Sequence, residues 1–541
     1  MKSKGIKNLL IDLGGVLINL DRERCIENFK KIGFQNIEEK FCTHQLDGIF
    51  LQQEKGLITP AEFRDGIRDM MGKAVSDEQI DAAWNSFLVD IPAYKLDLLL
   101  KLREKYVVYL LSNTNDIHWQ WVCQNAFPYR TFKVEDYFEK TYLSYEMKTD
   151  DGQMHNVELY IEVSPHWAMN LPNQSSVSET FTKDGFVFLK SGTKQQNILG
   201  TKGDDVRIDW GYFYLGTDRH NTFAAVGNRN TLRENFLKGN TDFYASAANT
   251  KGENQRMALV CSLGTIRKSE GRFLIGYDDI FSIQYFGENL RPYWNRKGTE
   301  TILSQFHKAN SDYEKLIKKC IAFDYQLMKE ATEAGGRRYA ELCALAYRQA
   351  ISAHKLVEAP NGDLLFLSKE NSSNGSIGTV DITYPSAPLF LLYNPELVKG
   401  MLNPIFYYSE SGRWTKPFAA HDVGSYPLAN GETYVGEMPI EESGNILILT
   451  ASIAAVEGNT DYARRHWKTL TAWADYLLHN GLDPANQLCT DDFAGHLAHN
   501  ANLSIKAILG VASYGYLAGK LGYKEQSESY IQKAKEMALE W

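Results

Sequence analysis

Tyr142-Leu143-Ser144-Tyr145-Glu146-Met147-Lys148-Thr149-Asp150-Asp151-Gly152-Gln153 is where one texture of sequence stops and another begins. Before it, continuous apolar runs alternate with helical stretches. Asn8–Ile18 reads as a buried strand entering a Gly14-Gly15 turn, and Tyr106–Ser112 as a second, fully buried strand. Between them, Arg22 to about Phe87 reads as helical, with breaks near Gly33 and Gly56. Strand, helix and strand with unbroken apolar runs imply a parallel sheet covered on both faces. After the seam the residues alternate. Val157, Leu159, Ile161 and Val163 share one face of His155–Ser164, as in a half-buried strand. Gly185–Leu189, Val206–Leu215, Arg256–Leu263 and Phe273–Ile283 repeat the pattern between turn pairs such as Asp184-Gly185. A β-sandwich is expected here.

From about Lys308 the spacing turns helical, over Asp312–Thr332, Arg337–Leu356, Ile440–Glu457, Asp461–Asn480, Ala501–Leu521 and Glu525–Trp541. Helices in pairs, joined by acid-rich loops, suggest an α/α toroid. The expected fold class is therefore multi-domain α/β + β + α. The boundaries fall at 1–148 for a partial α/β domain with a helical cap, 149–307 for the sandwich and 308–541 for the helical region.

Composition narrows the function. The chain has 541 residues, too many for one ordinary domain. It is 44% hydrophobic and 23% charged, which excludes a disordered or collagen-like chain. A net charge of −9 with no basic stripe argues against nucleic acid as a partner. The longest clean apolar run, Ile446–Val456, falls short of the roughly 20 residues that span a membrane. The seven cysteines are odd in number and form no CxxC, so reduced thiols are expected rather than disulfides or a zinc site. A small-molecule substrate is the remaining partner class. At the N-terminus Asp12 interrupts the apolar run and no small-residue cleavage site follows, so no secretory signal is read and localisation stays open.

Ile11-Asp12-Leu13-Gly14-Gly15-Val16 places a carboxylate where a buried strand ends, and Leu111-Ser112-Asn113-Thr114-Asn115 places a hydroxyl and amides at the next strand end. In a parallel sheet these ends present ligands. Residues 5–148 thereby resemble the haloacid-dehalogenase (HAD) superfamily of aspartyl phosphatases, with a partial Rossmann-like domain. The resemblance implies Asp12 as nucleophile, Ser112 and Asn113 as phosphate ligands and Arg22–Phe87 as the cap. It also requires a Lys-Pro and then paired acids for Mg²⁺. Thr149-Asp150-Asp151-Gly152 stands where the Lys-Pro should come. Phosphoryl transfer needs charge neutralised by such groups, so this part is expected to be inactive, with Mg²⁺ as cofactor only if it is not.

Five blocks crowd acids against Gly, Pro and aromatics. They are Arg207–Leu215, Thr379–Phe390, Pro417–Pro427, Met438–Asn445 and Asp491–Asn500. In this order they resemble the glutaminase A family over residues 143–541, which implies a β-sandwich and an (α/α)6, six-hairpin-glycosidase-like helical domain. Read from chemistry, hydrolysis needs one carboxyl protonated and one ionised, and like charges in one cleft separate their pKa values. Asp381, Asp422, Glu442, Asp491 and Asp492 are the candidate catalytic groups. Glu437 and Glu441 belong to the same acidic set. His421, Trp414, Tyr426, Asn445 and His496 are candidate substrate ligands. No metal and no cofactor is expected. Each acid also has a bland reading: Asp422 and Asp491 as helix N-caps, Glu441 and Glu442 as first-turn residues favoured by the helix dipole, Asp209 as a structural strand residue.

Four functions compete: a glutaminase A-type hydrolase, a glycoside hydrolase using the same carboxylates, a phosphatase acting through Asp12, and an inactive chimera. The seam looks like a recombined reading frame, since two incomplete domains abut without a linker. A closed six-hairpin barrel needs more helices than the segments after Lys308 supply, so an open apolar face and aggregation are expected.

Overall fold

The structure is a computed structural model. It describes residues 8–38, 48–147, 154–239, 247–250, 255–266, 271–370, 372–490 and 495–541. The chain forms two compact units, Met1–Val157 with Gly264–Lys268, and Glu158–Leu263 with Ser269–Trp541.

The first unit holds a three-stranded parallel sheet in the order β1 (Asn8–Ile11), β2 (Val107–Ser112), β3 (Lys140–Leu143). Ile11 lies opposite Leu110, and Ser112 opposite Leu143. The parallel pairing agrees with the apolar runs, but full burial does not. Val108 and Leu110 are buried, whereas Leu10, Val107 and Leu111 are exposed at 60%, 37% and 42%. Among the described residues one face of the sheet packs on helices Ala93–Arg103 and Asp116–Asn125, and the other carries the exposed Leu10, Val107 and Leu111. An unbroken apolar run cannot reveal that only one face is covered.

The insert between β1 and β2 is helical at Arg22–Lys31, Ile49–Glu54, Pro60–Met71 and Asp77–Asn85. Thr59 with Glu62, and Ser76 with Gln79, form reciprocal capping boxes that fix two of the helix starts. The helices enclose Phe29, Phe50, Phe63 and Trp84. His118 lies flat against Trp84, with ring centroids 4.3 Å apart. Its Nε2 is 3.1 Å from the Trp84 carbonyl, which can only accept, so Nε2 carries the proton. Nδ1 then accepts from the Asn115 amide at 3.1 Å.

In the second unit, β4 (Met154–Val163), β10 (Gln255–Ile266) and β8 (Thr222–Asn228) form one sheet. A second sheet runs β11 (Leu274–Asp278), β7 (Tyr212–Thr217), β6 (Phe186–Thr193), β5 (Ser176–Lys183), β9 (Ala247–Thr250). One cluster draws Leu189, Phe213 and Leu215 from the second sheet and Val226, Met257 and Leu259 from the first. Strand β7 starts only at Tyr212, so Asp209 is not a strand residue; it is buried and accepts from Gln174 Nε2 at 2.7 Å. The hydroxyl of Thr193 takes the Asp209 carbonyl, which diverts that backbone from sheet pairing.

The helix Ile302–Gly335 begins inside the β region, with Ile302 and Phe306 packed against Phe186, Phe188 and Tyr214. The boundary drawn at 307/308 thus falls within a helix. The helix Arg337–Ser352 ends earlier than expected, because His354–Glu358 pairs with Leu364–Ser368 as an antiparallel hairpin. Two helices, Val380–Tyr393 and Pro395–Glu410, have no counterpart among the segments that helical spacing marks. Pro385 and Pro388 inside the first, and Pro404 inside the second, conceal them. Helix Pro439–Glu457 is apolar around most of its surface and lies at the centre. Val380–Tyr393, Trp467–Asn480 and Ala501–Leu521 pack around it. None of the helices in the described residues is long and apolar enough to cross a membrane.

Burial holds the His118 pKa down at about 4, from 6.5. The unfolded chain therefore binds the proton more readily than the folded one. The stability that neutral His118 confers is complete above pH 6.5 and is lost as pH falls toward 4. Between pH 7.5 and 5 the loss is roughly 2 kcal/mol. Hydrogen exchange of residues 77–125, corrected for intrinsic rates, should lose less protection between pH 7.5 and 5 in His118→Phe than in the parent.

Candidate active site

Two helix N-termini bring acids to one place. Asp381 lies in the first turn of Val380–Tyr393, and Glu441 and Glu442 in the first turn of Pro439–Glu457. The unpaired N–H groups and dipole of a helix start favour carboxylates there. Pro439 at the first position spares a donor, and Ile440 N–H donates to Gln487 Oε1 at 3.1 Å. The loop carrying His421 is tied to the first helix by Val380 N–H to the His421 carbonyl at 2.9 Å. It is tied to the second by Ala419 N–H to Ser443 Oγ at 3.1 Å.

The centre is buried. Asp381 is 6% exposed, His421 3%, Glu441 1% and Glu442 0%. His421 Nε2 is 3.7 Å from Asp381 Oδ1, and its Nδ1 is 2.9 Å from Asp422 Oδ2. Asp422 is held by backbone: Oδ1 accepts from Gly424 N–H at 2.7 Å and Thr433 N–H at 3.1 Å, and Oδ2 from Tyr434 N–H at 3.2 Å. The Tyr434 ring stacks on His421 at 4.3 Å. One atom each of Asp381, His421 and Glu442 lie within 4.8 Å of one another, close enough for the three to share a metal ion.

Lys506 enters from helix Ala501–Leu521. Its ammonium donates to Asn445 Oδ1 at 2.6 Å, pairs with Glu441 Oε1 at 3.0 Å and stands 3.6 Å above the Tyr384 ring. Thr490 Oγ1 also donates to Glu441 Oε1, at 3.0 Å. The Asn445 amide reaches Glu441 Oε1 and Glu442 Oε2, both at 3.3 Å. This approach needs small residues. A Cβ on Gly444 would meet Lys506 Cγ at 2.5 Å, and one on Gly510 would meet the Gly444 Cα at 3.2 Å. Asp381, Glu441 and Glu442 each have one oxygen with no hydrogen-bond partner: Asp381 Oδ1, Glu441 Oε2 and Glu442 Oε1.

Burial, then the neighbouring Asp381 and Glu441, push the Glu442 carboxyl well above its ordinary range. Burial also raises Asp381, to about 6, against the pull of His421. For His421, burial pulls down, but the bond to Asp422 and the charge of Asp381 leave it raised. Burial pushes the half-buried Glu432, near Asp422, to about 7.

The residues singled out from sequence divide. Asp381, His421, Glu442 and Asn445 come together. Asp422 caps no helix; its oxygens accept from three backbone N–H groups and one lies 2.9 Å from His421 Nδ1. Tyr426 cannot stack on a ligand, being 3% exposed in the core with the Lys369 ammonium 4.9 Å over its ring. Trp414 is half-buried, donates to the Phe418 carbonyl at 2.6 Å and is covered by Lys416 at 4.7 Å. Glu437 is paired with Lys416. His496 is exposed. Asp491 and Asp492 lie outside the described residues. Lys506, Tyr384, Thr490 and Glu432 were missed. Of these, Lys506 left a signal, a lone cation on the apolar face Leu503-Ser504-Ile505-Lys506-Ala507.

In the first unit Asp12 follows β1 and Ser112 ends β2, so both stand at the C-terminal edge of the parallel sheet. Asp12 is exposed and accepts from Leu13 N–H at 2.8 Å. Ser112 is buried and Asn113 exposed.

A glutaminase A six helical-hairpin domain model matches residues 336–541, and a domain of unknown function (DUF5127) matches residues 138–330. Glutaminase A of Aspergillus oryzae is 29% identical over 418 residues, 74% of this chain and 60% of that protein. The chain therefore spans less than two thirds of that relative. D-ribitol-5-phosphate phosphatase of Bacteroides thetaiotaomicron is 36% identical over 142 residues, 26% of this chain and 69% of that protein. A HAD family enzyme of the same organism, solved with magnesium and inorganic phosphate, is 93% identical over 27% of this chain and 72% of its own, with a TM-score of 0.26.

No Lys-Pro follows β3 within residues 144–157. Among the described residues Asp12 belongs to no group of three His, Cys, Asp or Glu side chains that could share an ion; the one such group lies in the second unit. We expect p-nitrophenyl phosphate turnover with Mg²⁺ to be no faster than that of Asp12→Asn; a Mg²⁺-dependent rate lost in that variant would contradict this. The chain is thus a composite, a HAD phosphatase-type segment followed by a region that is similar to glutaminase A.

Proposed function

We propose that the second unit is a hydrolase of the glutaminase A type, acting on the side-chain amide of glutamine at the centre built by Asp381, His421, Glu441 and Glu442. The observation that carries this is the set of unpartnered carboxylate oxygens converging from two helix starts. Glu441 has one oxygen fixed by Lys506 and Thr490 and the other free, which suits it to take a proton from water. Glu442, buried without an ion pair, suits the protonated partner. Water oxygen bonds to the amide carbon, the carbon–nitrogen bond breaks, and nitrogen leaves as ammonia with the proton from Glu442. The helix pairs around Pro439–Glu457 are the part of an α/α toroid that holds this centre, and the two facing sheets are its β-sandwich.

A second reading, glycoside hydrolysis, draws on one observation. Asp381 and Glu442 approach within 4.8 Å, near the roughly 5 Å that separates the carboxyls of retaining glycosidases. Ammonia release from glutamine, set against aryl-glycoside cleavage, separates the two. Glu442→Gln should lower ammonia release by about 10²- to 10⁴-fold while the thermal midpoint holds or rises, since a buried ionisable group is replaced by its neutral isostere. Undiminished release in Glu442→Gln contradicts the assignment.

A further inference from the structure

We propose that Asp381, His421 and Glu442 form a site for one first-row divalent cation of the zinc class, a site that sequence gave no reason to expect. Three features carry it. The ligand atoms lie within 4.8 Å of one another in a buried centre. Each of the two acids has one oxygen, Asp381 Oδ1 and Glu442 Oε1, with no hydrogen-bond partner although both residues are more than nine-tenths buried. A buried carboxylate oxygen without a donor is costly, and a cation supplies the missing partner. The third feature is the ring behind. His421 directs Nδ1 at Asp422 Oδ2, and Asp422 is itself fixed by three backbone N–H groups. A carboxylate bonded to the far nitrogen is how a metal-ligating imidazole is oriented and made more basic.

The donor set selects the cation. Calcium and magnesium prefer all-oxygen shells, whereas an imidazole with two carboxylates suits zinc and its neighbours. Ligands about 2.1 Å from zinc at tetrahedral angles are roughly 3.4 Å apart. Side-chain rotation closes the difference, because the two helix starts and the His421 loop are already bonded together. Asn445, holding Glu442 Oε2, leaves Oε1 as the ligand atom. The site rests on the hydrolytic centre proposed above only in sharing its residues. An oxygen of Glu442 that ligates a cation cannot hand a proton to a leaving group, so the loaded chain is the resting form.

The test is zinc uptake by the full chain, stripped with chelator and titrated with Zn²⁺ against a chromophoric chelator. We expect one zinc per chain at micromolar affinity or tighter. Asp381→Asn and Glu442→Gln should each weaken it at least about 10-fold, and Asp422→Asn, which replaces an oxygen shared by the imidazole and the loop N–H groups, about 10- to 100-fold. Zinc should raise the thermal midpoint of the parent and not of Glu442→Gln, whose own midpoint reports whether it folds. No uptake, or uptake that these variants leave unchanged, overturns the site. A chain that takes zinc but never releases ammonia keeps the site and loses the hydrolase; the reverse result keeps the hydrolase and loses the site.

Discussion

The Lys506 ammonium is what allows two adjacent glutamates to be buried at the start of one helix. Uncompensated, a second carboxylate beside Glu442 would carry a desolvation cost that no helix dipole offsets. Lys506 meets Glu441 and Asn445 and caps its remaining direction with the Tyr384 face. Asn445 then spans both acids. The helix crossing that delivers Lys506 depends on glycine at 444 and 510. Packing and electrostatics are therefore one constraint: lose the close crossing and the charge pattern of the centre goes with it.

Much of the fold was legible because hydrophobic period tracks element type. Pro439–Glu457 and Ala501–Leu521 lie where apolar spacing put them, and the alternating residues of β4 form a strand. The helices Val380–Tyr393 and Pro395–Glu410 were illegible because internal prolines mimic loop chemistry. The exposure of Leu10 and Leu111 was illegible for another reason: composition reports what a strand could bury, not whether anything covers it.

The site was legible in part, and its errors share a cause. Asp422 and Tyr426 stand in an acid- and aromatic-rich block, as site residues would, yet both build the loop that carries His421. Residue type could not separate the group that acts from the group that holds it. Lys506 shows the converse. It lies outside the block that supplies the acids, and only the three-dimensional crossing of two helices makes it their partner. The motif at Asp12 illustrates a third case, where a strand end is correctly placed but no Lys-Pro closely follows β3.

The direct measurement is a double-mutant cycle between Lys506 and Glu441, read from the free energy of urea unfolding of the second unit. Lys506→Met should cost about 3–5 kcal/mol, as a buried charge loses its partner, and adding Glu441→Gln should restore most of that loss. Additive effects, with no recovery in the double variant, would contradict the account.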